Sequence, residues 1–334
     1  MGKKIRMADI AEKLDVSVVS VSKALAGKEG VGKEIRQKIL DTAKEMGYIK
    51  TEAVKEEATN GIIGILVADR FFSDNTFYSS MYRTLLLNST KAGFSVMLEI
   101  VSAEDERNCV PPKMITSNMV DGIIFMGEID RNYLYKICES GLPYILLDFY
   151  DDEMNGDSVC SDNNYGAYKL TSYLLEHGYS KIGFVGNLLS TSSILDRYLG
   201  YHKALLRKNI SLRDDWMIND RDEEGKFIEL SLPEEMPEAF ICSCDEVAYN
   251  LVNQLRAMGI RVPEDVGVAG YDDFRYSTLS DPPLTTYRVN VDAMGETTVS
   301  RLVKKIKRKN YIQGCVIVNG TLVIRKSTEQ RFKE

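Results

Sequence analysis

The sequence predicts a small all-α helix-turn-helix headpiece followed by an α/β body of two lobes, each built on a doubly wound parallel sheet. Three observations carry that reading. Apolar residues between 7 and 46 fall at helical spacing in three short blocks; residues 51–60 then hold almost no apolar content; and beyond them short Ile/Leu/Val runs alternate with helix-length stretches in two successive rounds.

In the first block Ile10, Ala11 and Leu14 share a face, in the second Val18, Val21 and Leu25, and in the third Ile35, Ile39, Ala43 and Met46. Ser17 sits where its hydroxyl would cap the second helix, residues 27–32 separate the second from the third, and Gly47 ends the third. A helix-turn-helix lays its second helix in the major groove, so the first turn of that helix must offer side chains to base edges. Val18, Val19 and Ser20 occupy that turn and Lys23 follows one turn on. Lys23 is suited to guanine O6/N7 and the valines to thymine methyls. Ser17, Ser22 and the free helix amides suit phosphate. Periodicity alone leaves a second reading open, a three-helix protein-interaction module.

In the body, the runs 61–67, 95–101, 121–126 and 143–148 read as strands, with helices such as 78–92 and 133–140 between them. The pattern restarts with helix 165–177, strand 181–186, helix 194–208, strand 239–243, helix 246–258 and strand 266–270. Apolar strands alternating with helices belong to parallel sheets covered on both faces, and ligands bind such sheets at the carboxyl ends of the strands. Those ends carry Asp69-Arg70, Asp148, Asn187, Asp245 and Tyr271-Asp272-Asp273. Sugar sites need bidentate hydrogen-bonders and an aromatic face. Asp245 and Asp272 can accept from hydroxyls, Arg197 can donate in a fork, and Phe71, Phe72, Tyr271 or Phe274 can supply the ring. The plainer alternatives are that Asp148 and Asp245 cap the segments after them and that Phe71 or Phe72 is core.

Length and charge agree with this division. A chain of 334 residues suggests two or three cooperative units. The net charge of -7 opposes binding to a polyanion, but residues 1–50 carry eleven Lys/Arg against seven Asp/Glu, a local +4. The six cysteines are scattered, with Cys242 and Cys244 the only close pair, so reduced structural thiols are expected rather than a metal site. Nothing asks for a cofactor. No apolar run approaches the ~20 residues of a membrane span, and the N-terminus lacks the apolar core of a secretory signal; both point to the cytoplasm.

The order of these features resembles the LacI (lactose-repressor) family. The resemblance rests on Met7-Ala8-Asp9-Ile10-Ala11, Val16-Ser17, Val21-Ser22-Lys23-Ala24-Leu25, Val31, Ile39, Ala43 and Gly47-Tyr48 in the headpiece. In the body it rests on Asp121-Gly122-Ile123-Ile124, Gly141-Leu142-Pro143, Asp162-Asn163, Arg197 with Gly200-Tyr201, residues 262–266, Gly270-Tyr271-Asp272-Asp273, residues 283–286 and Arg325-Lys326-Ser327. It implies a homodimer on a pseudo-palindromic operator and a periplasmic-binding-protein-like sensor whose lobes close on an effector. It further implies a headpiece at 1–50, a linker at 51–60 and an effector-binding and dimerisation domain at 61–334. The chain would cross between lobes near 161, 290 and 320, placing a last helix at 292–309 in the N-terminal lobe. By the same resemblance Arg197 and Asp272 match effector-contacting positions, and Asp148, Ser193 and the region of Asp220 and Arg221 line the pocket. Cys244 stands where many relatives place Asn, which removes a two-way hydrogen-bonder from the pocket wall, so the identity of the effector does not carry over; a sugar or sugar phosphate is the first choice and a nucleobase the second.

The linker departs from the family pattern. Tyr48 is present, but Lys50 and Thr51 replace Pro and Asn, and Glu57 takes the slot of the leucine that wedges into the minor groove. A carboxylate cannot serve as an apolar wedge. Two readings follow: DNA binding through the major-groove contacts alone, or a linker that never orders, leaving operator binding weak or dependent on a partner. Arg6 replaces the usual N-cap Thr, and Asp15 the Gly of the turn.

Other function classes fit less well. A transport-linked binding protein would need export and has no use for residues 1–50. An enzyme would have only His177 and His202 for imidazole chemistry, and no G-x-S-x-G, P-loop or dinucleotide fingerprint lies where strand meets helix.

Overall fold

The computed structural model describes residues 5, 7–25, 30–46, 48, 60–72, 76–154, 156–222, 225–310 and 312–329. The chain divides into two compact units, 1–58 and 59–334. Gly27, Gly47 and linker residues 51–59, Glu57 among them, lie outside the described residues.

In the first unit α1 (Met7–Leu14), α2 (Val18–Leu25) and α3 (Lys33–Glu45) enclose a core of Ile10, Ala11, Val21, Ala24, Ile39 and Ala43. Ser17 caps α2, its Oγ accepting from the Ser20 amide at 3.1 Å. Asp15 turns the chain between α1 and α2 with φ 51°, a left-handed conformation that Asp tolerates better than most residues. Two expected core residues face outward: Val18 is 47% and Ile35 47% exposed. Both lie in the first turn of their helix, N-terminal to the buried pairs Val21/Ala24 and Ile39/Ala43, where the three-helix core has already ended although the helical phase would still allow them onto its face.

The second unit holds two six-stranded sheets. Its strands are β1 (Ile62–Ala68), β2 (Ser95–Val101), β3 (Gly122–Met126), β4 (Tyr144–Leu147), β5 (Ser158–Ser161), β6 (Ile182–Val185), β7 (Met217–Ile218), β8 (Ala239–Cys242), β9 (Gly267–Asp272), β10 (Thr285–Arg288), β11 (Cys315–Val318) and β12 (Thr321–Val323). The first sheet runs β11-β5-β4-β3-β1-β2 and the second β12-β10-β9-β8-β6-β7. All neighbours are parallel except β10 and β12. Both sheets thus contain the 2-1-3-4-5 order, whose switch point opens at the carboxyl edge. The chain leaves the first sheet after β5, returns after β10 through the helix Val291–Ile306 to β11, and leaves again at 319–320 for β12. Met294, Val299 and Leu302 of that helix pack into the core of the first lobe with Ile65, Ile124 and Leu147.

Runs such as Ile62-Ile63-Gly64-Ile65-Leu66-Val67 form strands because β-branched and Leu side chains can be buried on both faces of a covered parallel sheet. Strands β5, β7, β10, β11 and β12 are not anticipated; β11, Cys-Val-Ile-Val, carries that signature over four residues only, whereas β5 and β10 lack it. β5 is Ser-Val-Cys-Ser and β10 Thr-Thr-Tyr-Arg. Thr285 and Thr286 are fully buried because their hydroxyls are bonded, Thr285 to the Arg325 carbonyl at 2.8 Å and Thr286 to Asp245 at 2.7 Å.

Helices Asn163–Glu176 and Ser192–Arg207 pack closely at Gly200, where a Cβ would lie 2.0 Å from the Asn164 carbonyl oxygen. Overpacking of this kind costs about 1–3 kcal/mol. Gly200→Ala is therefore expected to lower the unfolding free energy by that amount, seen as a lower urea midpoint; an unchanged midpoint contradicts the close crossing.

Candidate functional site

The carboxyl edges of the two sheets border one cleft, whose wall draws on both lobes. From the first lobe come Arg70, Phe71, Phe77, Tyr78 and Asp148; from the second come Ser193, Arg197, Arg221, Phe227, Cys244, Asp245, Asp272 and Phe274. The enclosed space is about 100 Å³.

Arg197, in the second turn of the helix Ser192–Arg207, is 5% exposed. Its Nε donates to Asn163 Oδ1 at 2.9 Å and its Nη1 to the Ser243 carbonyl, while the guanidinium lies 4.0 Å from the Tyr271 ring centre. Nη2 stands 3.3 Å from Asp272 Oδ1, an ion pair lacking the alignment of a hydrogen bond. The arginine is thus held from three directions with N–H groups left over.

Asp148 follows β4 and Asp272 ends β9. Both adopt positive φ, 71° and 103°, and Asp273 follows at 59°. Non-glycine residues in this region carry strain that surrounding structure must hold. Tyr78 donates to Asp148 Oδ2 at 2.9 Å, whereas the buried Asp148 Oδ1 and Asp272 Oδ1 accept no hydrogen bond. Burial raises both carboxyls, Asp148 to about 6 and Asp272 to about 7, against the pull of Arg197. The cleft therefore presents two acceptors from opposite lobes and a fixed fork of donors between them. Phe71, in centroid contact with Tyr78 at 5.0 Å, and Phe274, edge-on to Phe77 at 5.2 Å, add apolar faces.

Not every expected residue reaches this wall. Asp220 is buried with Oδ1 accepting from the Asn187 amide at 2.8 Å and Oδ2 from the Ser243 hydroxyl at 2.6 Å; it braces the loop, and its neighbour Arg221 lines the cleft instead. Asp69 opens the short helix Asp69–Phe72, is exposed, and does not line the cleft. Asp245 borders the cleft, but both oxygens serve the protein, accepting from Thr286 Oγ1 at 2.7 Å and the Phe274 amide at 2.8 Å; they tie β10 and the segment after β9 together rather than capping the helix that follows Asp245. Ser193 lines the cleft with its hydroxyl 3.0 Å from that of Thr191. Arg70 pairs with Glu106 and donates to the Glu128 carbonyl at 2.7 Å, its guanidinium 5.0 Å from the Phe71 ring. Cys244 also lines the wall, its thiol pushed up to about 12 by burial. Sequence reasoning missed Tyr78, Phe77 and Phe227. The first two sit in the opening turns of the helix Thr76–Lys91, where an aromatic residue reads equally well as core.

On the headpiece, α2 turns Val18 (47% exposed), Val19 (62% exposed), Ser22 and Lys23 to one side. Ser20 is half-buried at its edge, hydroxyl to hydroxyl with Ser17 at 2.9 Å. Two exposed valines beside a lysine are a costly surface in water and suit a groove that offers methyls and acceptors. Among the described residues no helix is long and apolar enough to cross a membrane, and no group of three or more His, Cys, Asp or Glu is placed to hold a metal ion.

Comparison with known proteins follows these two surfaces. The family described as bacterial regulatory proteins, lacI family, matches residues 6–51, and the periplasmic binding protein-like domain matches residues 171–328. The HTH-type transcriptional repressor PurR of Aliivibrio salmonicida is 26% identical over 330 residues, covering 96% of this chain and 98% of its own. The ribose operon repressor of Haemophilus influenzae is 26% identical over the same length, with the same shares covered. Among solved structures the chain is similar to the lac repressor dimer bound to operator and the anti-inducer ONPF, at TM-score 0.72 and 23% identity, covering 98% of this chain and 99% of that one. It is also similar to a complex of the transcriptional regulator CelR with cellobiose, at TM-score 0.69 and 21% identity, covering 97% and 99%.

The raised carboxyls make stability depend on pH. Unfolded Asp ionises near pH 3.9, so between about pH 4 and 7 the folded state holds more protons, and stability falls as pH rises through that window. Asp272→Asn keeps the shape without the charge. Its stability relative to the parent is expected to grow by ~1–2 kcal/mol from pH 5 to pH 8, measured by urea unfolding; a constant difference contradicts the buried-carboxyl account.

Proposed function

The chain belongs to the LacI family of bacterial regulatory proteins, and on that premise we propose that it is an effector-responsive repressor that binds a pseudo-palindromic operator as a homodimer and senses a sugar or sugar phosphate. Members of the family are transcriptional repressors without enzymatic activity that bind operator DNA and a small-molecule effector. The finer reading rests on one observation above all: two buried carboxylate oxygens that accept no hydrogen bond, Asp148 Oδ1 and Asp272 Oδ1, flank Arg197 in the cleft between lobes. Acceptors on both sides of a donor fork match a ligand with several hydroxyls, which donate and accept in turn. The name of the ribose operon repressor among the relatives supports the same choice. A nucleobase is the second reading, favoured by the flat walls that Phe71, Phe227 and Phe274 offer a planar ring.

The division of labour proposed is a headpiece at 1–50, a linker at 51–60, and an effector-binding and dimerisation domain at 61–334. Val18, Val19, Ser20 and Lys23 would face the bases, with Ser17 and Ser22 at the phosphates. Arg70, Phe71, Asp148, Ser193, Arg197 and Asp272 would hold the effector. Pairing two +4 headpieces gives the salt-dependent attraction that one alone lacks, in a protein working beside its DNA in the cytoplasm.

Two measurements test this. Lys23→Ala is expected to weaken binding to the DNA upstream of its own gene by ~1–3 kcal/mol in fluorescence anisotropy at stated salt; equal affinity removes Lys23 from base reading, and no binding by the parent below 100 mM salt refutes the DNA reading altogether. In a thermal-shift panel of sugars, sugar phosphates and nucleobases, a ligand at 100-fold its Kd adds about 2.7 kcal/mol. Arg197→Lys, which keeps the buried charge but not the fork of donors, is expected to shrink that response at least about tenfold in ligand concentration; an undiminished response removes the fork from ligand binding.

A further inference from the structure

The helix Ser192–Arg207 carries Ser193, Ile194 and Arg197 of the cleft, yet its first turn is held from the opposite lobe. Glu128, in the loop after β3, places Oε2 2.7 Å from the Ser192 amide and 2.9 Å from the Ser192 hydroxyl. The Ser192 amide is one of the free donors at a helix start, and Thr191 caps another, that of Ile194, at 3.2 Å. A carboxylate at this end meets the positive pole of the helix and makes two charge-assisted bonds. One turn further on, Tyr150 of the first lobe donates to Asp196 at 3.1 Å.

Glu128 is itself braced. Arg70 pairs with Glu106 and donates to the Glu128 carbonyl, and Glu106 accepts from the Asp130 amide at 2.9 Å, so the loop 127–130 is fixed to its own lobe while its carboxylate reaches across. The cleft beside it encloses only about 100 Å³, less than the roughly 300–1,000 Å³ of pockets that hold small molecules. The lobes must part to admit a ligand, and these contacts lie where they part.

We propose that Glu128 is a positioning residue that latches the two lobes shut by capping the helix Ser192–Arg207 from across the cleft, with Tyr150–Asp196 as its second catch. The latch goes beyond the repressor reading. It sets the fraction of molecules open to a ligand, and an effector gains entry only in that fraction.

The test needs no effector, so its failure is distinct from a failure of the sugar reading. Spin labels carried by p-acetylphenylalanine at positions 91 and 208, one exposed site in each lobe, report the distance between lobes by pulsed electron spin resonance, with labelled chain diluted into unlabelled chain. Loss of hydrogen bonds to a charged group is expected to raise the open population about tenfold, so Glu128→Gln gains a longer-distance component. Tyr150→Phe moves the distribution the same way by less, and Glu128→Asp keeps it nearer the parent than Glu128→Gln does. If Glu128 were only a local cap, Glu128→Gln would speed amide exchange at 192–196 with the distance distribution unchanged; that result overturns the proposal, as does a distribution unchanged with exchange also unchanged.

Discussion

Arg197 is the contact on which the cleft depends. A buried guanidinium is costly unless it is paired and hydrogen-bonded, and here the compensation comes from three separate pieces of the second lobe. Asn163 opens the helix that follows the crossing from the first lobe, Ser243 directly follows β8, and Tyr271-Asp272 end β9. Satisfying one charge thus fixes where a helix and two strand ends stand relative to each other. The raised Asp148 carboxyl, from the other lobe, feels the same charge, which makes the guanidinium an electrostatic link across the cleft as well as a structural pin.

The two units solve the problem of display differently. Among the described residues the headpiece core holds six buried apolar side chains, while Val18 and Val19 are left in water, an arrangement whose cost is recovered against a partner. The body buries its chemistry, with acceptors and donors sunk between lobes where a ligand replaces water on all sides. An exposed reading surface suits a rigid groove, and a buried one suits a small molecule that must be surrounded.

Much of this was legible in the sequence because burial on both faces leaves an unambiguous mark. Strand 95–101 was read with its observed ends, and 61–67 and 239–243 within one residue. The polar strand ends Asp148 and Asp272 were legible for the same reason, since a charged residue directly after an apolar run has few places to go but the sheet edge. Part of what stayed hidden is held by side-chain bonds that leave no periodic trace, while β11 and β12 are apolar runs too short to stand out. β10 is polar and buried because Asp245 and Arg325 satisfy its threonines, and Asp220 looked like a cleft residue until its oxygens proved occupied by Asn187 and Ser243. Val18 fits both core and groove by its sequence, and its place as the first residue of α2, beyond the end of the small core, leaves it exposed.

The left-handed backbone at Asp148, Asp272 and Asp273 limits how such a cleft can change over generations. Only Gly, Asn and Asp enter that conformation at low cost, so mutation at these positions meets a narrow choice in which a bulkier residue harms the fold before it alters recognition. Drift toward a new effector is thereby channelled into neighbours with ordinary backbone, such as Cys244, Phe227 and Ser193, which line the same space without that constraint. Lineages descending from this chain would keep the acceptors and revise the walls.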